Sequence, residues 1–266
     1  MKTVKALVLR AAGINCDKET AYALEVAGAQ VDFMHINQLI SDGSKLNDYK
    51  IIVFPGGFSY GDDVAAGKIL ANQVIHHLSN LLKKFIEDGK LVLGICNGFQ
   101  ILVKAGLLPA LGGNMNASGL NQQVTITNNN SGKFEDRWVY LTPGTDKCVF
   151  INPGQVIYLP IAHGEGKVLA SDASVLEKLK SDGHIAFRYC DADGNTGCEF
   201  PINPNGSTDD IAALCDTTGR VLGLMPHPER FVKFTQHPHW TRLEDKNRAD
   251  GMTIFNNAVR YASDNL

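Results

Sequence analysis

The chain has 266 residues, 44% of them hydrophobic and 20% charged, with a formal net charge of −3. This composition excludes a wholly disordered, collagen-like or coiled-coil chain, and the length fits one α/β domain with an insertion, spanning 1–266. No basic field is available for nucleic acid or an anionic membrane surface, and the longest apolar runs, such as 51–54 and 91–95, are far too short to span a bilayer.

The first apolar stretch is broken by Lys5 and ends at Arg10, which leaves no signal-peptide core. Residues 6–9 read as a strand, 18–27 as a helix stopped by Gly28, and 31–34 as a second strand. A third strand, 51–54, is halted by Pro55-Gly56-Gly57. One long helix is expected over 63–87, with Val74, Ile75, Leu78, Leu81, Leu82, Phe85 and Ile86 on a recurring face. A fourth, uniformly apolar strand at 91–95 leads into a helix at 99–105. Continuous apolar strands separated by helices indicate a parallel sheet covered on both faces.

From about Leu111 the character changes. Gly112-Gly113-Asn114 and Asn128-Asn129-Asn130-Ser131-Gly132 punctuate short strand-like runs at 123–127, 138–141, 156–161 and 184–189. These read as hairpins and loops rather than strand–helix units. Residues 211–215 and 221–224 flank Asp216-Thr217-Thr218-Gly219-Arg220 in a hairpin pattern. A helix at 251–261 closes the chain, with Met252, Phe255, Val259 and Ala262 on one face. Six cysteines (Cys16, Cys96, Cys148, Cys190, Cys198, Cys215) form no C-x-x-C pair. A chain of this size needs no disulfides, so a reducing, cytoplasmic compartment is expected, with most of the thiols buried and inert.

Gly94-Ile95-Cys96-Asn97-Gly98-Phe99-Gln100 follows the buried fourth strand directly. A nucleophile on a strand-to-helix elbow needs a sharp, strained turn, and glycines two residues to either side let neighbouring backbone pass. The following helix aims its N-terminal N–H groups at the thiol and favours the thiolate, and the Asn97 N–H is placed to donate to an oxyanion. A buried structural cysteine is the bland alternative; the coincidence of strand, glycines and helix argues for Cys96 as nucleophile.

A cysteine nucleophile needs an imidazole, and the imidazole needs a partner that fixes its tautomer. Pro226-His227-Pro228-Glu229 supplies both. Each proline biases the preceding residue away from helix. An extended stretch would set His227 and Glu229 on one side, roughly 6.6 Å apart, at the carboxyl end of the 221–224 strand. Cys16, in Gly13-Ile14-Asn15-Cys16-Asp17, is expected at the same sheet edge in a structural role. His237 and His239 have no third ligand placed by sequence and read as loop residues, so no metal site is expected; His76 and His77 read as a solvated or half-buried pair on the long helix.

These two motifs together resemble the class I (triad) glutamine amidotransferases. Four further segments narrow the resemblance: Gly13-Ile14-Asn15-Cys16-Asp17, Pro55-Gly56-Gly57-Phe58-Ser59-Tyr60-Gly61-Asp62-Asp63, Ile161-Ala162-His163-Gly164-Glu165-Gly166 and Asn203-Pro204-Asn205-Gly206-Ser207. They look like the glutaminases of the phosphoribosylformylglycinamidine synthases of de novo purine synthesis, across nearly the whole chain. The resemblance implies a flavodoxin-like doubly wound, mainly parallel sheet with an added antiparallel hairpin region. It implies Cys96, His227 and Glu229 as catalytic residues, backbone N–H groups of Gly57 and Asn97 as the oxyanion hole, and Gln100 near bound glutamine. His163 and Glu165 read as a loop at the glutamine pocket or the partner interface rather than as a second base pair.

Gly61 and Gly67-Lys68-Ile69 have the wrong spacing for a phosphate loop and lack the following Ser or Thr. No cofactor is therefore expected on this chain; ATP and Mg are expected on a synthetase partner, with a small third subunit as a further candidate and neither nucleic acid nor membrane as a partner. Three alternatives stand beside this reading: a glutaminase serving another amidotransferase, a non-catalytic regulatory subunit on the same fold, and a cysteine hydrolase working alone.

Overall fold

The computed structural model describes residues 3–111 and 122–266. Strand β1 (Lys5–Arg10), helix α1 (Asp17–Val26) and strand β2 (Gln30–His35) lie near their expected bounds. A short helix absent from the sequence reading, α2 (Ile36–Ser41), follows at once, its first turn capped by the His35 ring and the Gln38 side chain. Strand β3 (Ile51–Phe54) is as expected.

The single helix expected over 63–87 is two. α3 (Lys68–Gln73) starts only after Gly67, which sits at φ +71, and a wider turn at Val74–Leu78 separates it from α4 (Ser79–Glu87). Asp62 Oδ1 accepts from the Gly67 N–H at 3.1 Å and holds the residues before α3 in a non-helical loop. Strand β4 (Leu91–Ile95) and helix α5 (Asn97–Lys104) form the strand–elbow–helix unit.

In the second half, β5 (Val124–Asn128), β6 (Glu135–Pro143), β7 (Ile157–His163) and β9 (Ile185–Cys190) answer the four expected runs. The reading of this region as hairpins and loops alone is corrected by β8 (Glu165–Ala170) and α6 (Ala173–Ser181). Asp172 caps α6 through the Val175 N–H at 3.0 Å, and only Val175 and Leu179 are buried on it, too sparse an apolar face to announce a helix. Gly112-Gly113-Asn114 lies outside the described residues. β10 (Ile211–Cys215), β11 (Val221–Leu224) and α7 (Met252–Asn265) complete the chain.

Among the described residues the main sheet has nine strands in the order β2-β1-β3-β4-β11-β10-β9-β6-β7, and β5 pairs with β8 separately. From β2 to β11 the neighbours run parallel; from β11 to β7 they run antiparallel. Every residue of β3, β4, β10 and β11 is buried, as strands covered on both faces must be. α1 packs with α7, and α3 with α5. The antiparallel part curls back over the parallel part: the His227 N–H donates to the Pro160 carbonyl of β7, the far edge strand, at 2.8 Å. The carboxyl ends of β3, β4, β11 and β7 therefore converge. No helix among the described residues is long and apolar enough to cross a membrane.

Candidate active site

Cys96 stands between β4 and α5 at φ +51, ψ −105, a region an L-residue occupies only at a cost of about 1–3 kcal/mol. The flanking glycines explain how the turn closes. A Cβ on Gly94 would lie 2.6 Å from Leu102 Cδ1 and 2.8 Å from the Gly98 carbonyl carbon; one on Gly98 would lie 1.9 Å from the Phe54 carbonyl oxygen. The elbow thus crosses itself and the end of β3 with no room for a side chain. The Cys96 sulfur is 3.8 Å from the Ala162 carbonyl at the end of β7.

His227 follows β11, the immediate neighbour of β4; Leu224 pairs with Ile95, and the Cys96 N–H donates to the Leu224 carbonyl at 2.8 Å. His227 Nδ1 is 2.6 Å from Glu229 Oε1, and both side chains are buried. The expected extended geometry is corrected here. Pro228–Arg230 forms a single tight helical turn, which proline favours at its first position, and the turn folds the carboxylate back onto the ring. His227 Nε2 and Glu229 Oε2 are buried without a hydrogen-bond partner. Burial opposes a charge on His227, but Glu229, Cys96 and Cys16 together hold the imidazole well above its ordinary value.

The loop after β3 is pinned to the loop after β1. Cys16 N donates to the Gly56 carbonyl at 3.2 Å and Phe58 N to the Gly13 carbonyl at 2.9 Å. Gly57 sits at φ +143, where a Cβ would lie 2.8 Å from Asn15 N, Gly13 O and Ile14 Cα. Asn97 opens α5, so its N–H belongs to the first turn and has no intrahelical acceptor. Its side chain ties the elbow to this loop: Oδ1 accepts from Ser59 N at 3.3 Å and Nδ2 donates to Asp62 Oδ1 at 3.1 Å. Asn97 Nδ2 also reaches Gln100 Oε1 at 3.0 Å, and Gln100 Nε2 donates to the Glu165 carbonyl at 2.6 Å. Gln100 is buried as a link from the elbow to the start of β8.

His163 ends β7 and is buried, its Nδ1 3.1 Å from Asn129 Oδ1. Asn129 Nδ2 donates to the His163 and Lys133 carbonyls, so Oδ1 is the acceptor and His163 carries its proton on Nδ1. Burial, and then the nearby charge on His227, push His163 down to about 3, which keeps it neutral. Gly166 lies within β8 and leaves room for the His163 ring, 2.1 Å from where its Cβ would be.

The site contains a residue that the sequence reading placed at the sheet edge without a part in it. Cys16 is buried against His227 and Glu229, and Arg230 Nη2 donates to its sulfur at 3.1 Å. Burial pushes this thiol up, against the pull of His227 and Arg230. All six cysteines are free. His237 packs among Trp138, Tyr158 and Phe231, away from any metal-binding cluster found among the described residues.

Residues 3–262 match the CobB/CobQ-like glutamine amidotransferase domain. The chain is 48% identical over 263 residues to the phosphoribosylformylglycinamidine synthase subunit PurQ of Dehalococcoides mccartyi, covering 98% of this chain and 99% of that protein. It is 43% identical over 270 residues to the PurQ subunit of Methanococcus maripaludis, covering 97% of each. Among solved structures it resembles a chain of PurLQS from Thermotoga maritima, with a TM-score of 0.72, 31% identity, and coverage of 97% of this chain and 99% of that one. A glutamine amidotransferase of the same organism shares the fold, at a TM-score of 0.50 and 16% identity. With the match running almost end to end, and with a cysteine elbow set beside a histidine–glutamate pair, this chain belongs to the CobB/CobQ-like glutamine amidotransferase family.

Proposed function

We propose that the chain, acting as one domain, is the glutaminase subunit of a phosphoribosylformylglycinamidine synthase. It hydrolyses L-glutamine to glutamate and ammonia and passes the ammonia to a synthetase partner, which converts formylglycinamide ribonucleotide to formylglycinamidine ribonucleotide with ATP. The carrying observation is Cys96 at φ +51 on the elbow, one strand from the buried His227–Glu229 pair. The near full-length identity to PurQ subunits supports the choice of synthase.

In the reaction, the Cys96 thiolate attacks the side-chain amide carbon of glutamine. The oxyanion is received by the Gly57 and Asn97 N–H groups. His227, charged and held by Glu229, gives its proton to the leaving nitrogen, and ammonia departs from a γ-glutamyl thioester. Neutral His227 then takes a proton from water as it attacks the thioester, and glutamate leaves with Cys96 restored. ATP and Mg are assigned to the synthetase partner. The Thermotoga maritima counterpart comes from a PurLQS assembly, which supports a complex with that synthetase and a small third subunit. The free thiols fit a cytoplasmic setting.

The test is a reconstituted complex assayed with formylglycinamide ribonucleotide, ATP, and either glutamine or ammonium. Cys96→Ala is expected to abolish glutamine-dependent product while ammonium-dependent product persists, and an electrophilic ketone analogue of glutamine is expected to add its mass at Cys96. Unchanged glutamine-dependent turnover in Cys96→Ala rules the reading out.

A further inference from the structure

Asp62 has no step in the amide chemistry, yet it is bonded to the elbow that carries the nucleophile. Its Oδ1 accepts from the Asn97 side-chain Nδ2 at 3.1 Å and from the Gly67 N–H at 3.1 Å. An ionised carboxylate has no proton to give, so it requires the nitrogen end of the Asn97 amide. Gln100 Oε1 requires the same orientation, because Gln100 Nε2 is committed to the Glu165 carbonyl. The oxygen end of Asn97 is thereby left for the Ser59 N–H, from which it accepts at 3.3 Å. Both ends of one buried amide thus clamp residues 59–62 to the elbow.

Gly57 stands two residues before Ser59. In its antiparallel bridge to Ile14 the hydrogen bonds are carried by its neighbours, Phe58 N to Gly13 O and Cys16 N to Gly56 O. A residue in such a non-hydrogen-bonded pair turns its N–H away from the partner segment. The Gly57 N–H accordingly has no acceptor among the described residues. Its aim is set by what holds the loop on either side: the backbone bonds to 13–16, and the Asn97–Asp62 clamp. Tyr60, Gly61 and Asp62 lie at φ +53, +73 and +53, a run that persists only where the surroundings hold it.

We propose that Asp62 is a positioning residue for the oxyanion hole: through the Asn97 side chain it holds the 57–62 loop against the elbow, so that the Gly57 and Asn97 N–H groups converge on one oxygen. This rests on the glutaminase reading of the site. Asn97 serves both halves of the hole, its N–H as one donor and its side chain as the anchor for the loop that carries the other. Asp62 bonds to no substrate atom and moves no proton. A purely structural Asp62 would need only its bond to the Gly67 N–H, which ends the loop before α3.

The experiment compares wild type with Asp62→Ala in the reconstituted complex. The kcat for glutamine is expected to fall by about 10–100-fold with KM within about threefold, because the hole is loosened rather than emptied, and ammonium-dependent product is expected to persist. Labelling of Cys96 by a chloroketone analogue of glutamine forms an oxyanion before the sulfur displaces chloride, and its rate is expected to fall with kcat. Labelling of Cys96 by iodoacetamide displaces iodide directly, forms no oxyanion, and is expected to keep its rate. Asp62→Asn retains an acceptor oxygen for both N–H donors and is expected to recover most of the loss. Circular dichroism confirms that each variant is folded, and Asp62→Gly, whose backbone suits φ +53, decides the case if Asp62→Ala is not. A folded Asp62→Ala with normal kcat overturns the proposal. So does a loss confined to KM, an equal fall in iodoacetamide labelling or in ammonium-dependent product, or an Asp62→Asn as slow as Asp62→Ala. A wild-type complex that neither turns over glutamine nor takes up the ketone at Cys96 removes the glutaminase reading, and this role of Asp62 with it.

Discussion

One oxygen of Glu229 lies 2.6 Å from His227 Nδ1, and the other is buried without a partner. The carboxylate therefore fixes the tautomer and carries the charge that holds the ring cationic. Glu229→Gln keeps the volume and removes both effects. Glutamine turnover is expected to fall by about 10²–10⁴-fold, and the His227 titration followed by NMR is expected to move toward acid. A titration left in place would deny Glu229 its role. At this scale the juxtaposition of Cys96 with His227 and Glu229 was legible because the proposed chemistry demands those residue types, and the glycines around Cys96 announce the turn. The sheet edge was expected for Cys16, but its contact with the imidazole was not legible: a thiol has no motif, and it reaches the ring only because backbone bonds staple residues 13–16 to 56–58.

The elbow shows the same physics in an element. Gly98 passes so close to the end of β3 that a Cβ would meet the Phe54 carbonyl at 1.9 Å, whereas one on Gly28 would meet nothing within 4 Å. Gly98→Ala is expected to cost about 3 kcal/mol or more in urea unfolding, because two pieces of backbone must separate. Gly28→Ala, strained only by its φ of +97, is expected to cost about 1 kcal/mol. Similar losses at the two positions would mean that the crossing is not tight. The apolar strands were readable because burial on both faces leaves an uninterrupted hydrophobic run. α6 and β8 were not, since each is half solvated and mixes charged with apolar residues. The break at Val74–Leu78 left the apolar face intact, so periodicity gave no sign of it.

For the molecule as a whole, His163 links the site to acid stability. It titrates at about 3 when folded, against about 6.5 for an unfolded histidine. Between those values the unfolded chain binds a proton that the folded chain refuses, so stability falls as pH drops below about 6.5, by up to about 1.4 kcal/mol per pH unit. His184, also buried and lowered, and the carboxylates add their own slopes. His163→Gln is expected to flatten the dependence of the urea midpoint on pH between about 4 and 6.5, and parallel curves for the two proteins would refute the assignment. The pairing of Ile95 with Leu224 has a different consequence. Cys96 and His227, the proposed nucleophile and base, follow directly on two neighbouring strands of one hydrogen-bonded ladder, so thermal jostling of the sheet displaces them in concert. Warming should extinguish turnover only when the centre of the sheet itself melts.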